Sequence, residues 1–378
     1  MEVETINAQE AILLESITLS SRQKNEMSVM KTKYGKPMEN SDYLEKLEFF
    51  VIDVIKTKQM DTLLTLNRTD GNVPRWLVTG FIRMPGFLYA ICQLPRRYRY
   101  TNCINLFIDS CEVLGMICDD VAGSRLSKVD FNTQSDEHWT LFVQFIGVIY
   151  REGNSAGFKT KLIRTLRLIN YREGEYTSFV QALFNAHSRI VVLRIDFEYQ
   201  KGIARTVSLS EALDDLDHLV ANMRNNAMFD HMLGYIFKVE YGVDRGIHIH
   251  SILFFNGSRR NGANHIGHAK QIGDYWQNKI TLGRGTYWNV NAKIEQYRQK
   301  GICGIGPIHW HEYDVQANLL NMVIHYVCKE QQMIRSDAEP YRKIIRKQHF
   351  PKINEVRRGR PRAIMIASVS EQLEVESI

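Results

Sequence analysis

The sequence has few cysteines, and none of them stands in a pair of the kind that binds zinc or builds a disulfide framework. Its 378 residues include six cysteines, and no Cys-x-x-Cys occurs. We therefore expect free thiols in a reducing compartment. A basic leader followed by an apolar block is also absent, because Glu2, Glu4 and Glu10 stand at the N-terminus. No secretory signal is predicted, and these absences favour a cytoplasmic protein.

Long uninterrupted apolar runs are absent as well. The nearest approach is residues 76–94, which Arg83 and Pro85 interrupt and which Arg96 and Arg97 follow. A transmembrane helix needs about 20 predominantly apolar residues. The segment therefore predicts a pair of amphipathic helices that breaks at Pro85, and no membrane partner is expected.

The excess of positive charge is concentrated near the C-terminus. The chain carries 48 Lys and Arg against 42 Asp and Glu, a net charge of +6. Residues 335–362 alone hold ten basic and three acidic residues, so the remaining chain is close to neutral. Within that stretch, Arg358-Gly359-Arg360-Pro361-Arg362 is typical of a minor-groove hook or of a tail that contacts phosphates. We predict that residues 336–378 form a basic DNA-binding tail, with contacts from Arg358, Arg360 and Arg362.

The first half of the chain predicts helices without a site motif. Residues 1–40 are polar and lack sustained periodicity, which indicates a flexible leader. Residues 41–185 are helical in pattern, since apolar residues such as Leu47, Val51 and Val54 recur at three- and four-residue spacing. We assign this stretch to a helical accessory domain.

The pattern changes to strands at Arg189. Val191, Leu193 and Ile195 begin an apolar alternation that predicts a strand with one apolar and one charged face. A helix opened by the capping box Ser208-x-x-Glu211, two further strands and a helix from about residue 314 to 335 follow. This order predicts an α+β fold for residues 186–335: a ferredoxin-like antiparallel sheet with helices on one side.

A hairpin between the second and third strands brings three candidate ligands together. If Tyr241 pairs with Ile247 across the turn, Glu240 lies opposite His248, and Lys238 lies opposite His250. One carboxylate and two imidazoles on one face suit a divalent metal, Mg²⁺ or Mn²⁺. Two alternatives remain: an ordinary strand that happens to carry histidines, or a metal site at the second motif, His309-Trp310-His311. His309 could also lie behind the ligands of the first site.

A tyrosine and a lysine share a face of the last helix. Tyr326 and Lys329 are three residues apart, so their side chains lie on the same side. A tyrosine hydroxyl is a poor nucleophile unless a cation lies close to it. Lys329 could supply that charge, and Tyr326 is the candidate nucleophile.

Together these motifs resemble the HUH endonucleases, in particular the replication initiators of filamentous phages and the YagK/YfjJ-type proteins. The resemblance covers about residues 186–335 and rests on three motifs in order. Those motifs are Arg194-Ile195-Asp196-Phe197, then Glu240 with His248-Ile249-His250, and then Tyr326-x-x-Lys329. It implies that Glu240, His248 and His250 bind the metal and that Tyr326 forms a 5′-phosphotyrosine link to DNA. Arg194 and Lys238 are the expected DNA contacts within this domain.

The resemblance also implies partners and a setting. We expect a site-specific nickase and strand transferase that initiates rolling-circle replication in a bacterial host, acting on single-stranded DNA and on duplex origin DNA. No Gly-x-x-x-x-Gly-Lys-Ser/Thr motif for a nucleotide-driven motor occurs, so a host helicase would unwind the duplex. The alternatives are a transposase with the same chemistry and a DNA-binding regulator that has lost catalysis.

Overall fold

The computed structural model describes residues 40–119, 124–242, 245–328, 335–336 and 342–348. These residues form an α+β structure, as predicted, in which helices precede and surround one large antiparallel sheet. The predicted leader, residues 1–40, lies outside the described residues except for its last position.

Helices dominate the chain before residue 187, in agreement with the apolar periodicity. Thr101, Ser135 and Ser155 cap three of them, each side chain accepting a hydrogen bond from a backbone N–H of the first turn. The helices are α1 (Asn40–Lys56), α2 (Met60–Leu63), α3 (Arg75–Cys92), α4 (Asn102–Val113), α5 (Asp136–Gly153) and α6 (Ala156–Ala186), with a 3₁₀ turn at Phe131–Thr133. Three short strands accompany them: β1 (Tyr98–Arg99), β2 (Ile117–Asp119) and β3 (Arg125–Ser127).

Helix α3 continues through Pro85, so the prediction of a helix pair broken at that residue was wrong. A proline inside a helix costs about 3 kcal/mol. The helix buries Phe81 and Met84 before the proline and Phe87 and Leu88 after it. Each such side chain contributes roughly 1.5–3 kcal/mol when fully buried, so packing on both sides outweighs the local cost. Within the described part of the chain, no helix is long and apolar enough to span a membrane.

The second half of the described chain is built on a six-stranded antiparallel sheet. Its path runs β10–β5–β6–β4–β7, and β8 pairs with the other end of β4. The strands are β4 (Arg189–Tyr199), β5 (Met232–Gly242), β6 (Gly246–Asn256), β7 (Gly285–Asn289), β8 (Gly306–His309) and β10 (Ile345–Lys347). The helices are α7 (Leu209–Asn222), α8 (His265–Tyr275), α9 (Ile294–Gln299), α10 (Tyr313–Asn318) and α11 (His325–Cys328). Shorter turns are Met223–Asn225, Ala227–Phe229, Gly262–Asn264 and Val290–Lys293, with π-helical segments at Trp276–Ile280 and Leu319–Ile324.

Helices cover both faces of this sheet, which corrects the prediction of helices on one side only. On one face, Val191, Leu193 and Ile195 pack with apolar residues of α7 and α8. On the other face, Ile190 and Val192 pack with the end of α6 and with residues from Leu319 onwards. After Arg189, strand β4 is therefore apolar on both faces as far as Leu193, and its other charged residues follow from Arg194 onwards. A strand that is apolar on both faces requires cover on both faces.

The structure describes the last helix as far as Cys328. It runs from Tyr313 through the π-helical segment to Cys328, and we call this continuous stretch the tyrosine helix. Residues 335–336 form a short strand, β9, that pairs with β1, so the prediction that the helix reaches residue 335 was wrong.

Part of the predicted basic tail belongs to the sheet. Residues 345–347 form β10, which pairs with β5, and the position opposite Ile345 is Lys238. Arg342 forms ion pairs with Asp214 and Asp217 of α7, and Arg346 also pairs with Asp217. The prediction that the whole of residues 336–378 is a DNA-binding tail therefore needs correction, because its described part is an edge strand whose charges are paired within the fold. Residues 349–378, with Arg358, Arg360 and Arg362, lie outside the described residues.

Candidate metal centre and tyrosine

The hairpin of β5 and β6 has the register that the sequence predicted. Glu240 pairs with His248, and Lys238 pairs with His250. One ligand atom from each of Glu240, His248 and His250 lies within 4.8 Å of the others. All three side chains are buried. They form one compact group that could hold a metal ion.

Glycine at position 246 sets the start of β6. Its φ is +70°, in the left-handed region that favours glycine. A Cβ atom there would lie 2.1 Å from the carbonyl oxygen of Ala204. Because His248 follows two residues later on the same face, this close approach fixes where the first imidazole stands.

Both imidazoles point the same ring nitrogen at Glu240. His250 Nε2 lies 2.9 Å from Glu240 Oε2, and His248 Nε2 lies 3.3 Å from the same oxygen. The other nitrogen, Nδ1, faces an acceptor in each case: Asp196 Oδ1 at 2.8 Å for His250, and the carbonyl of Gly246 at 3.3 Å for His248. An acceptor at Nδ1 fixes the tautomer and leaves Nε2 free to bind a metal, which is the usual arrangement around metal-binding histidines.

Asp196 is a site residue that the sequence reasoning did not assign. It lies on β4 directly opposite His250 of β6. Burial raises its pKa, but the charges of His250 and Arg194 outweigh burial and hold the pKa below its ordinary value. Asp196 therefore stays ionised and can orient the His250 ring. A signal was present, since Asp196 lies within the first motif and on the charged side of β4, but the pairing of β4 with β6 was not known.

Two carboxylates favour the protonated form of His250. Burial lowers the pKa of this imidazole, but Asp196 and Glu240 raise it to about 9. Burial also raises the pKa of Glu240, whereas Lys238 and His250 lower it well below the ordinary value. The charged imidazole of His250 thus lies between the carboxylates of Asp196 and Glu240 and offsets part of their negative charge.

Lys238 is buried inside this group, which corrects its assignment as a DNA contact. Its side chain is 1% exposed, and its Nζ lies 2.5 Å from Glu240 Oε1. A side chain in that position cannot reach a phosphate on the surface. Lys238 instead compensates the charge of Glu240 and pairs with Oε1, whereas the histidines contact Oε2.

Tyr326 lies over the same group. Its ring is edge-on to His250, with 5.3 Å between the ring centroids. The Arg194 guanidinium carbon lies 5.3 Å and Lys238 Nζ 5.8 Å from the centroid of the tyrosine ring. The residue remains 38% exposed, so a substrate can approach it. Glu240 and burial raise the pKa of Tyr326 above its ordinary value, and Arg194 opposes that rise.

Among the described residues, Arg194 is the cation closest to the tyrosine ring. Its Nε lies 3.6 Å from Asp196 Oδ1, which is longer than a hydrogen bond, and this buried nitrogen has no hydrogen-bond partner. The side chain is 18% exposed. Its guanidinium is therefore held beside Tyr326 with donor capacity left for an anionic ligand. Its contact with DNA remains a prediction.

The second His-x-His motif lies elsewhere. His309 pairs with Arg189 at the start of β4, whereas Asp196 marks the site seven residues further along the same strand. At about 3.3 Å per residue, that separation is roughly 23 Å. The prediction that His309 supports the first site was wrong. Among the described residues, Glu240, His248 and His250 are the one group of His, Cys, Asp and Glu side chains spaced to hold a metal.

Not every predicted site residue can be placed. Lys329 lies just beyond the described part of the tyrosine helix, so its role beside Tyr326 stays a prediction.

Comparisons with protein-family models, with curated proteins and with solved structures found no match to this chain. What the site can do therefore follows from its geometry.

Proposed function

We propose that this protein is a metal-dependent DNA-nicking and strand-transfer enzyme of the HUH endonuclease type, with Tyr326 as the nucleophile. The observation that carries the proposal is the position of Tyr326, whose ring centroid lies 5.3 Å from that of His250, a member of the Glu240–His248–His250 group. A tyrosine, two histidines and a glutamate in this arrangement combine a nucleophile with a site for a Lewis acid.

The donor set fits a divalent cation. One carboxylate oxygen and two Nε2 atoms converge, and each histidine has an acceptor behind its Nδ1. We assign Mg²⁺ or Mn²⁺, because the resemblance to the HUH endonucleases implies one of these ions for this ligand set. A bound ion would polarise a phosphodiester oxygen and offset negative charge near Tyr326.

The protein's own residues supply the remaining chemistry. The Tyr326 hydroxyl oxygen attacks phosphorus and loses its proton, the P–O3′ bond breaks, and the 3′ oxygen takes up a proton. The product is a 5′-phosphotyrosine link and a free 3′-hydroxyl. Arg194, close to the tyrosine ring, stabilises the extra negative charge that develops on the phosphate. Because the covalent link conserves the phosphoester, the ends can be rejoined without a nucleotide cofactor.

The fold supports this proposal through the placement of the motifs. The two histidines lie on β6, which pairs on one side with the strand carrying Glu240 and on the other with the strand carrying Asp196. Helices α7 and α8 cover the opposite face. We propose that the physiological role is initiation of rolling-circle replication of a phage or mobile element, with a host helicase as partner.

A nicking assay on single-stranded DNA separates this function from its alternatives. The purified protein is incubated with Mn²⁺ and single-stranded DNA from both strands around its own coding locus, and cleavage and rejoining are followed on denaturing gels. We expect cleavage at one position and loss of cleavage with chelator. Cleavage at two distant element ends would indicate a transposase, and sequence-specific binding without cleavage would indicate a regulator.

A further inference from the structure

The first half of helix α6 carries only positive charge. Residues 156–172 contain five basic residues and no acidic one. The exposed positions of this stretch recur at helical spacing and include Thr160, Lys161, Arg164, Arg167 and Tyr171. They form one continuous stripe, which we call the α6 basic face.

Two arginines of the α6 basic face are available for a ligand. Within the part of the chain that the structure describes, neither Arg164 nor Arg167 forms a hydrogen bond or an ion pair. With Thr160 and Ile163 they line a shallow depression of about 350 Å³. Lys161 differs from them, because its charge acts on Asp109 of α4. Arg164 and Arg167 are therefore the two cations of this face that can bind a ligand without losing another contact.

The helix that carries the α6 basic face also contacts the tyrosine helix. Further along the same helix, Glu173 Oε1 lies 2.7 Å from His325 Nδ1, and the next residue is Tyr326. The last turns of α6 pack on the sheet face that carries Glu240, His248 and His250. At 1.5 Å per residue, Arg167 and Arg164 lie about 9 and 14 Å along the helix axis from Glu173.

We propose that the α6 basic face binds the phosphate backbone of single-stranded DNA and guides the strand to Tyr326. This inference rests on the proposed function and gives the helical half of the chain a role in it. Regularly spaced cations on a helix that also contacts the tyrosine helix match a strand that continues on one side of its scissile phosphate. Tyr171, 66% exposed on the same stripe, offers a ring on which a base can stack.

An anionic membrane surface is a poorer match to this stripe. Helices that lie on membranes expose large apolar side chains beside their cations. On α6, the one large hydrophobic residue that is well exposed is Tyr171, whereas Leu162, Ile163 and Leu166 are partly covered.

The test removes both arginines and compares a matched variant. Arg164→Gln/Arg167→Gln keeps residues that favour helix and removes two charges. Arg224→Gln/Lys279→Gln removes two exposed charges from segments that follow α7 and α8, on the opposite face of the sheet. Binding of a fluorescent single-stranded oligonucleotide is measured by anisotropy from 0.05 to 0.3 M salt. The full chain is used without metal, so that no cleavage occurs.

We expect the α6 variant to bind roughly tenfold more weakly at 0.15 M salt, and its log–log salt slope to be about 1.4 units shallower, because each lost phosphate contact accounts for about 0.7. The control variant should change little. Equal losses in both variants, or no loss in the α6 variant, would overturn the inference. A selective loss on anionic phospholipid vesicles with DNA binding unchanged would also overturn it, in favour of a membrane surface.

The outcome is separable from that of the proposed function. If the wild-type protein nicks DNA and the α6 variant binds it normally, the role proposed for the α6 basic face is wrong and the proposed nicking activity is supported. If the wild-type protein never nicks DNA and the α6 variant selectively loses binding, the α6 basic face binds DNA but the chemistry proposed at Tyr326 is wrong.

Discussion

A divalent cation and a proton should compete for the same place between His250 and Glu240. In the metal-free protein, the Nε2 atom of His250 faces Glu240 at 2.9 Å while its Nδ1 atom faces Asp196 at 2.8 Å. Both contacts favour the charged imidazole, and they raise the pKa of His250 to about 9. Only the neutral imidazole can bind a metal through Nε2. Metal binding should therefore release a proton.

The size of this competition follows from the pKa. At pH 7, about one site in a hundred carries a neutral His250, which weakens metal binding roughly 100-fold, or about 2.7 kcal/mol, relative to the fully deprotonated site. The apparent affinity should rise about tenfold per pH unit from pH 7 and level off near pH 9. The free energy of unfolding of the metal-free protein has the opposite pH dependence. Because the folded-state pKa lies above the unfolded value of about 6.5, the stabilisation is complete below that pH and is lost as pH rises towards 9.

Calorimetry measures both quantities. Mn²⁺ is titrated into the protein at pH 7 in two buffers with different protonation enthalpies, and the difference in heat gives the number of protons released, which should be close to one. The titration is repeated at half-unit steps up to pH 8.5. A flat affinity over this range, or no proton release, would refute the assignment of His250 as both proton carrier and ligand.

Two variants test whether the charge of Asp196 raises the pKa of His250. Asp196→Asn keeps the shape of the side chain and removes its charge, so the pKa of His250 should fall and the pH dependence should shift to lower pH. Asp215→Asn is the matched control, because Asp215 is equally buried, at 7% exposure, and hydrogen-bonds Tyr199 and Arg284 away from the histidines. It should leave the pH dependence unchanged.

Three further predictions concern the surroundings of the site. Lys238→Met removes one of the two cations beside Glu240, the other being His250, so the metal-free protein should lose about 1.5–3 kcal/mol in chemical denaturation and should regain more stability on Mn²⁺ addition than the wild type does. Gly246→Ala should cost about 1–3 kcal/mol and weaken Mn²⁺ binding, whereas Gly202→Ala, where a Cβ meets no atom within 4 Å, should do neither. Deleting residues 349–378 should leave cleavage of single-stranded DNA intact and weaken duplex binding, with a shallower salt dependence, whereas a deletion that starts at residue 336 should also lower the melting temperature because it removes β10.

The hairpin that holds the metal group was predictable because it is local. One assumed pair across a short turn fixes every other pair in two antiparallel strands, and the structure has that register from Gly242 to Tyr235. The capping box at Ser208 and Glu211 is equally local and is present. Patterns that span fewer than about ten residues therefore carried the most reliable information.

The partners supplied by distant segments were not predictable in the same way. Asp196 reaches His250 through a strand pairing that joins residues 54 positions apart, and no turn fixes that register. The same holds for β10, which follows the tyrosine helix in sequence but pairs with β5. Charges in that segment suggested a tail, whereas in the fold they meet acidic residues of α7.

The apolar composition of β4 indicates layers on both of its faces. The alternation that starts at Val191 marks one face, but Ile190 and Val192 on the other face are just as buried. A run of consecutive apolar residues at the start of a strand indicates cover on both sides. The same packing explains how α3 continues through Pro85, since tertiary burial outweighs a local preference.

The measurement that tests the central claim most directly is identification of the residue that becomes linked to DNA. The protein is incubated with Mn²⁺ and its single-stranded substrate, the covalent adduct is digested, and the modified peptide is located by mass spectrometry. We predict a 5′-phosphotyrosine at Tyr326 and no adduct with Tyr326→Phe, which keeps the ring over His250 and removes only the attacking oxygen. An adduct on another tyrosine, such as Tyr241 or Tyr341, or cleavage that persists in Tyr326→Phe, would contradict the account.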